Sequence, residues 1–183
     1  MKNYTLKGSA KENKTGGVIL TTNFHQNGTL NLNKKINIST KPWTINFSFK
    51  ISKNKGASDE DGSGGDGLWL EFDKRKFAIG FDTFKNDLNK TGNEIHLYLE
   101  NEIVSQKHCS IKMNSGKLIK AKIICEPNKF IKIFINDSLI LNHSFKQINL
   151  SSLFDSEECS FRIFSFTGAA ASTQEIKKLN VLF

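Results

Sequence analysis

Proline is almost missing from this 183-residue chain, which has two, and that excludes collagen-like and proline-rich linker architectures. Cysteine is scarce as well. Cys109, Cys125 and Cys159 allow at most one bridge with a thiol left over. No Cys-x-x-Cys or Cys/His cluster supplies the roughly four ligands a structural zinc needs. Reduced thiols are expected, with Cys109–Cys159 the pair that could form if their loops meet. No apolar run approaches the ~20 residues of a membrane span, so membrane insertion is not expected. The opening MKNYTLKGSAKENK carries no apolar h-region, so no secretory signal is expected. Localisation stays open, with cytoplasmic synthesis and a virion or surface destination compatible with it.

Arginine is the most telling scarcity. The formal charge is +8, from 26 basic against 18 acidic residues, yet only Arg75 and Arg162 are arginines. Recognition of phosphates and bases leans on the guanidinium fork. The lysines are spread over alternate positions of strand-like segments instead of forming a block. They are expected on solvated strand faces, and no nucleic-acid partner is expected. Nine Asn-x-Ser/Thr sequons (Asn3, Asn13, Asn27, Asn37, Asn46, Asn89, Asn136, Asn142, Asn149) are read as reflecting an asparagine- and serine-rich composition, since no secretory signal is expected.

What is abundant is period-two patterning. From Trp43 to Ile51 every odd position is apolar, which puts one face of a strand inside and one outside. The same alternation is expected over Phe161–Phe166 and, imperfectly, at Ile176, Leu179, Val181 and Phe183. Segments 118–126 and 129–136, joined by a turn at Glu126–Lys129, pass through Asn136-Asp137-Ser138 into Leu139–Phe145 as an antiparallel meander. Helical spacing is confined to a turn or two within 146–155. The segment GASDEDGSGG (56–65) is a flexible acidic loop between strands. The expectation is one all-β domain over residues 1–183, an antiparallel sandwich with minimal helix.

Three stretches in order carry a resemblance. They are Gly64-Gly65-Asp66-Gly67-Leu68-Trp69-Leu70 with Phe81-Asp82-Thr83-Phe84-Lys85-Asn86-Asp87; Asn149–Phe154 with Phe161–Gly168, Glu175 and a final apolar strand; and Asn27-Gly28-Thr29-Leu30 leading into Phe47–Ile51. Together they resemble the L-type lectin family, the concanavalin A-like group of legume lectins and mannose-binding cargo receptors, across roughly residues 4–183. The resemblance implies a concanavalin A-like β-sandwich (jelly roll) and non-catalytic binding of a glycan or glycoprotein ligand. A homo-oligomer is compatible with it.

The chemistry suits a sugar. A carboxylate held at a strand end accepts two hydroxyl protons, and an amide offers donor and acceptor together. The resemblance implies that Asp66 is that acceptor, that Gly67 lies beside it, that Asn86 supplies the amide, and that Thr167, Gly168, Ala169 and Ala170 form the loop whose backbone amides complete the pocket. It also implies calcium, with Asp82, the Phe84 carbonyl and Asn86 as ligands. The later acid of legume lectins is Thr91 here, leaving Asp87 or Glu94 to substitute. The glutamate of their transition-metal site is Gly80 here, although His96 keeps its spacing, so a second metal is not expected. Only the short turn Asp73-Lys74-Arg75-Lys76 joins two strands where legume lectins carry a long sugar-contacting loop. The pocket is expected to be acidic (Asp59, Glu60, Asp61, Asp66, Asp82, Asp87), with lysines on the back of the sandwich.

A hydrolase reading fails on the residues. Glu71-Phe72-Asp73 starts a glycosidase-like E-x-D-x-x-E strand motif, but residues 74–76 are Lys-Arg-Lys, so the third acid is missing. Glu71 and Asp73 are expected as solvated strand-end acids. The competing class is a structural or interaction protein, viral or cell-surface, that keeps the sandwich without binding sugar.

Overall fold

The computed structural model describes residues 3–52, 55–56, 67–84, 92–146 and 148–183. Asp59, Glu60, Asp61, Asp66, Asn86 and Asp87 lie outside these residues. The sandwich is built as the alternation requires, from two seven-stranded antiparallel sheets. The front sheet runs, edge to edge, β1 (Tyr4–Gly8), β4 (Asn27–Leu32), β16 (Phe161–Phe166), β8 (Leu68–Phe72), β9 (Phe77–Asp82), β10 (Glu94–Leu99) and β11 (Glu102–His108). The back sheet runs β14 (Ser138–Ser144), β13 (Phe130–Ile135), β12 (Ile119–Glu126), β6 (Trp43–Ile51), β18 (Gln174–Leu182), β3 (Val18–Thr21) and β2 (Lys11–Glu12). Two short ladders join β15 (Glu158–Cys159) to β5 (Ile36–Asn37), and β17 (Ala170–Ala171) to β7 (Lys55–Gly56).

The turns follow local chemistry. Asn136-Asp137 and Glu100-Asn101 both sit at positive φ, as two-residue hairpin turns demand of their central residues. The only helical element among the described residues is a 3₁₀ turn at Leu150–Leu153, capped by the Asn149 side chain, which accepts from Ser151 N. The imperfect alternation of the last strand is a bulge. Register shifts between Lys177 and Asn180, and Lys178 takes φ 53°.

Inward residues of the two sheets meet in an aromatic core. Trp43 packs on Phe72 and Phe77, and Phe81 lies 5.6 and 5.5 Å from Phe47 and Phe49, ring centre to ring centre. Lys120 and Lys122 project outward from β12 between buried Ile119, Ala121 and Ile123, so lysine does cover the back face. One expected pattern divides differently. Phe161 and Ile163 point into the core, whereas Phe164 and Phe166 lie on the opposite face of β16 with Arg162, stacked on Trp69.

The three cysteines are free and buried. Burial pushes all three thiols up, Cys125 the furthest and Cys159 to about 12. Because the folded values lie above those of an unfolded chain, the unfolded thiols ionise first, and stability should fall as pH rises past about 9. In the native protein none should react with a thiol-disulfide reagent at pH 8, while denaturation should expose three equivalents. Removing the Phe49 ring should cost about 3–5 kcal/mol in urea unfolding, whereas Leu139→Ala on the exposed edge should stay within about 0.5 kcal/mol.

Candidate functional site

Antiparallel order brings seven strand ends to one end of the front sheet: the starts of β4, β8 and β10 and the ends of β1, β9, β11 and β16. Those of the sequence's candidate residues that are described lie at this apical end. Asp66, Asn86 and Asp87 lie outside the described residues; Gly67, Asp82, Phe84 and Thr167–Ala170 lie within them.

Gly67 has a geometric reason to be glycine. Its φ is +92°, and a Cβ there would fall 1.9 Å from the Phe81 carbonyl oxygen and 3.2 Å from Asp82 Cα. The chain therefore enters β8 at Gly67 pressed against the end of β9. Asp82 ends its strand with an Asx turn, Oδ1 accepting from Phe84 N at 2.9 Å. Across the ladder, Glu94 pairs in register with Asp82. His96 is buried on the same face, with Nε2 2.9 Å from Glu94 Oε2 and Nδ1 3.1 Å from the Tyr98 hydroxyl and 3.9 Å from Asp82 Oδ2.

The Thr167–Ala170 loop is held from β4's side. Thr167 N donates to Gln26 O (2.9 Å), Thr167 Oγ1 donates to Asn23 O (2.6 Å), and Gln26 N donates to Thr167 Oγ1 (3.0 Å). His25 N donates to Gly168 O, and Ala170 enters the β17–β7 ladder. With the Thr167 amide engaged and Ala170 buried, Gly168 and Ala169 are the outward part of the loop. Among the described residues nothing lies within 4 Å of where a Gly168 Cβ would be.

Sequence reasoning missed two supports of this end. Gln26 pins its own turn by accepting from Thr22 N and Asn23 N. Asn93, at φ 67°, donates to the Cys109 and Ile111 carbonyls and accepts from Met113 N, fixing the entry to β10. Such side chains resemble ordinary loop polar residues in sequence, and only the fold shows that they span loops. Glu71 also departs from expectation: it is 1% exposed rather than solvated. Its Oε1 accepts from Arg162 Nε (2.8 Å) and lies 2.6 Å from Arg162 Nη2. Asp73 accepts from Ser160 N and Oγ.

The two metal questions separate cleanly. For calcium, the described donors fit in kind, since the Asp82 and Glu94 carboxylates and the Phe84 carbonyl are hard oxygens at one strand end. A transition metal of the legume type does not fit. A Cβ on Gly80 would lie 2.7 Å from Trp69 Nε1 and 3.3 Å from the Tyr98 ring, so the indole fills the space a glutamate would need.

Thr167→Val would leave the part-buried Gln26 amide and the Asn23 carbonyl without the Thr167 hydroxyl. It should cost about 1–3 kcal/mol in chemical denaturation while leaving the β-sheet circular-dichroism spectrum intact.

No family model matches the sequence, and the search of curated proteins found no match. Solved structures do resemble the fold. The VIP36 exoplasmic/lumenal domain in its Ca²⁺/Man-bound form superposes with a TM-score of 0.78 at 13% identity, covering 100% of this chain and 83% of that one. Basic winged bean lectin with Tn-antigen gives 0.80 at 14%, covering 99% and 92%. The Emp46p carbohydrate recognition domain gives 0.73 in a metal-free form and 0.74 in a potassium-bound form, each at 16% identity, covering 98% of this chain and 87% or 88% of the other. The two-sheet sandwich, its apical strand ends and these superpositions agree: this chain has the L-type lectin fold.

Proposed function

We propose that this protein binds glycans non-catalytically at the apical end of the front sheet, with calcium ordering the site. The observation that carries the reading is the wedge of Gly67 against Phe81 and Asp82. It brings Gly67, which follows Asp66 in the sequence, against Asp82, which precedes Asn86 by four residues, and this supports a reading in which one acceptor carboxylate and one amide serve a sugar's vicinal hydroxyls. The pinned loop at Gly168 and Ala169 would bound the pocket on the β16 side. Asp82, the Phe84 carbonyl, Asn86 and an acid from Asp87 or Glu94 would hold calcium. When bound, the ion would neutralise these acids and fix the strand ends that present the sugar-binding groups. Ligands bound by the structural neighbours, mannose for VIP36 and Tn-antigen for the winged bean lectin, support the ligand class.

Two details support a binding role over hydrolysis. The Glu71 carboxylate is engaged by Arg162, and Asp73 holds the Ser160 backbone, so neither is poised as an acid or nucleophile. The short 73–76 turn joins β8 and β9 at the sheet end opposite the apical site, so, contrary to the expectation from sequence, its shortness takes no wall from this pocket.

A glycan array with and without chelator tests the reading. Glycan hits that vanish with chelator and return with added calcium are expected. Asp82→Asn should weaken the best hit at least about tenfold with the fold retained. An array without a single chelator-sensitive hit would overturn the proposal and favour an interaction protein that kept the sandwich alone.

A further inference from the structure

The outer face of the front sheet departs from what an amphipathic antiparallel sheet presents to water. Registers align two rows across it: Asn31, Arg162, Glu71, Ala78 and Tyr98, then Thr29, Phe164, Trp69, Gly80 and His96. Trp69 lies nearly parallel to Phe164 and Phe166, at 5.7 Å and 20° and at 5.0 Å and 19°. Its position is set by the missing side chain at Gly80 and by a hydrogen bond from the indole to the Tyr98 hydroxyl. Beside these rings opens a cavity of about 190 Å³, whose other walls include Arg75, Tyr98 and Asn101.

Both arginines of the chain come to this face. Arg162 is committed to Glu71 through two nitrogens and lies over the Phe164 ring at 5.1 Å. Arg75 approaches the other Glu71 oxygen only through Nε, at 3.5 Å, and its guanidinium stands 5.7 Å from the Phe164 ring centre. Its side chain is 53% exposed, and among the described residues its terminal nitrogens have no partner. Two guanidiniums against one carboxylate leave a net positive charge beside an aromatic plane. Arg75 and Asn101 are presented by the turns at the sheet end opposite the apical site, each from a left-handed backbone.

We propose that this cavity is a second saccharide site, separate from the apical one, that takes a sugar ring bearing an anionic substituent. The apolar face of the ring would lie on Trp69 and Phe166. The carboxylate or sulfate would take the free fork of Arg75, and hydroxyls would meet Asn101 and Tyr98. This site uses no residue of the apical reading and stands or falls without it.

Intrinsic fluorescence offers a direct test, because Trp43 is buried with its Nε1 donating to the Ile38 carbonyl, leaving Trp69 as the tryptophan a ligand can reach. The probes are a galacturonate tetrasaccharide, a sulfated galactan tetrasaccharide and a neutral galactan tetrasaccharide, each titrated in chelator. At least one anionic probe should quench emission saturably and bind about tenfold more tightly than the neutral one; which does so tells carboxylate from sulfate. Arg75→Gln, in an exposed turn, should reduce anionic binding to the neutral level. Phe166→Ala, at the exposed edge of the platform, should weaken all probes by calorimetry. The proposal is overturned if neither anionic probe quenches saturably, or if Arg75→Gln leaves the affinity unchanged. It is equally overturned if binding is lost in Asp82→Asn, which would assign it to the apical site. A negative array with positive titrations here would sink the apical reading alone.

Discussion

Phe81 seated against Phe47 and Phe49 is the contact on which the rest depends. It joins the central strand of the back sheet to β9 of the front sheet, and its next neighbour in the chain is Asp82. Alternation then does the remainder: with Phe81 anchored inward, Asp82 must face outward one residue later. The same β9 backbone is the surface against which Gly67 is pressed. Core packing and the position of the candidate ligand-binding residues are thus one constraint.

The charge distribution takes on a sharper meaning once the faces are known. Lysines alternate outward along β12 and cover the back sheet, as solvated faces do. The two arginines are used otherwise, on the front sheet, where planar guanidiniums stack on Phe164 and one is locked to a buried carboxylate. Lysine would serve poorly there, since an ammonium cannot stack or bind in a fork. The scarce cation is the one with a specific geometry to satisfy, and the abundant one is mostly solvated.

Much of the fold was legible because one sheet face is buried and a period of two is hard to mimic. β6, β12 and β13 fall where their alternating residues predict, and the Asn136-Asp137 turn lies where its residue types demand. Legibility failed where a strand is apolar on both faces. In Leu68-Trp69-Leu70 and Phe161–Phe166 the pattern shows burial but not which aromatic belongs to the core. It failed too for Glu71, whose burial depends on Arg162, 91 residues away in the chain. Gln26 and Asn93 escaped notice for the same reason, since their partners are set by which loops meet.

Taken by itself, the sequence determined the class of architecture, the positions of its main strands and turns, and the glycine that the apical end requires. These are local matters of side-chain period and backbone freedom. Only the tertiary structure decided that the space at Gly80 is filled by an indole, that Thr167 is pinned by Gln26, and that both arginines converge beside an aromatic plane. Each of these is a meeting between strands distant in sequence, and strand register, not composition, chooses the partners.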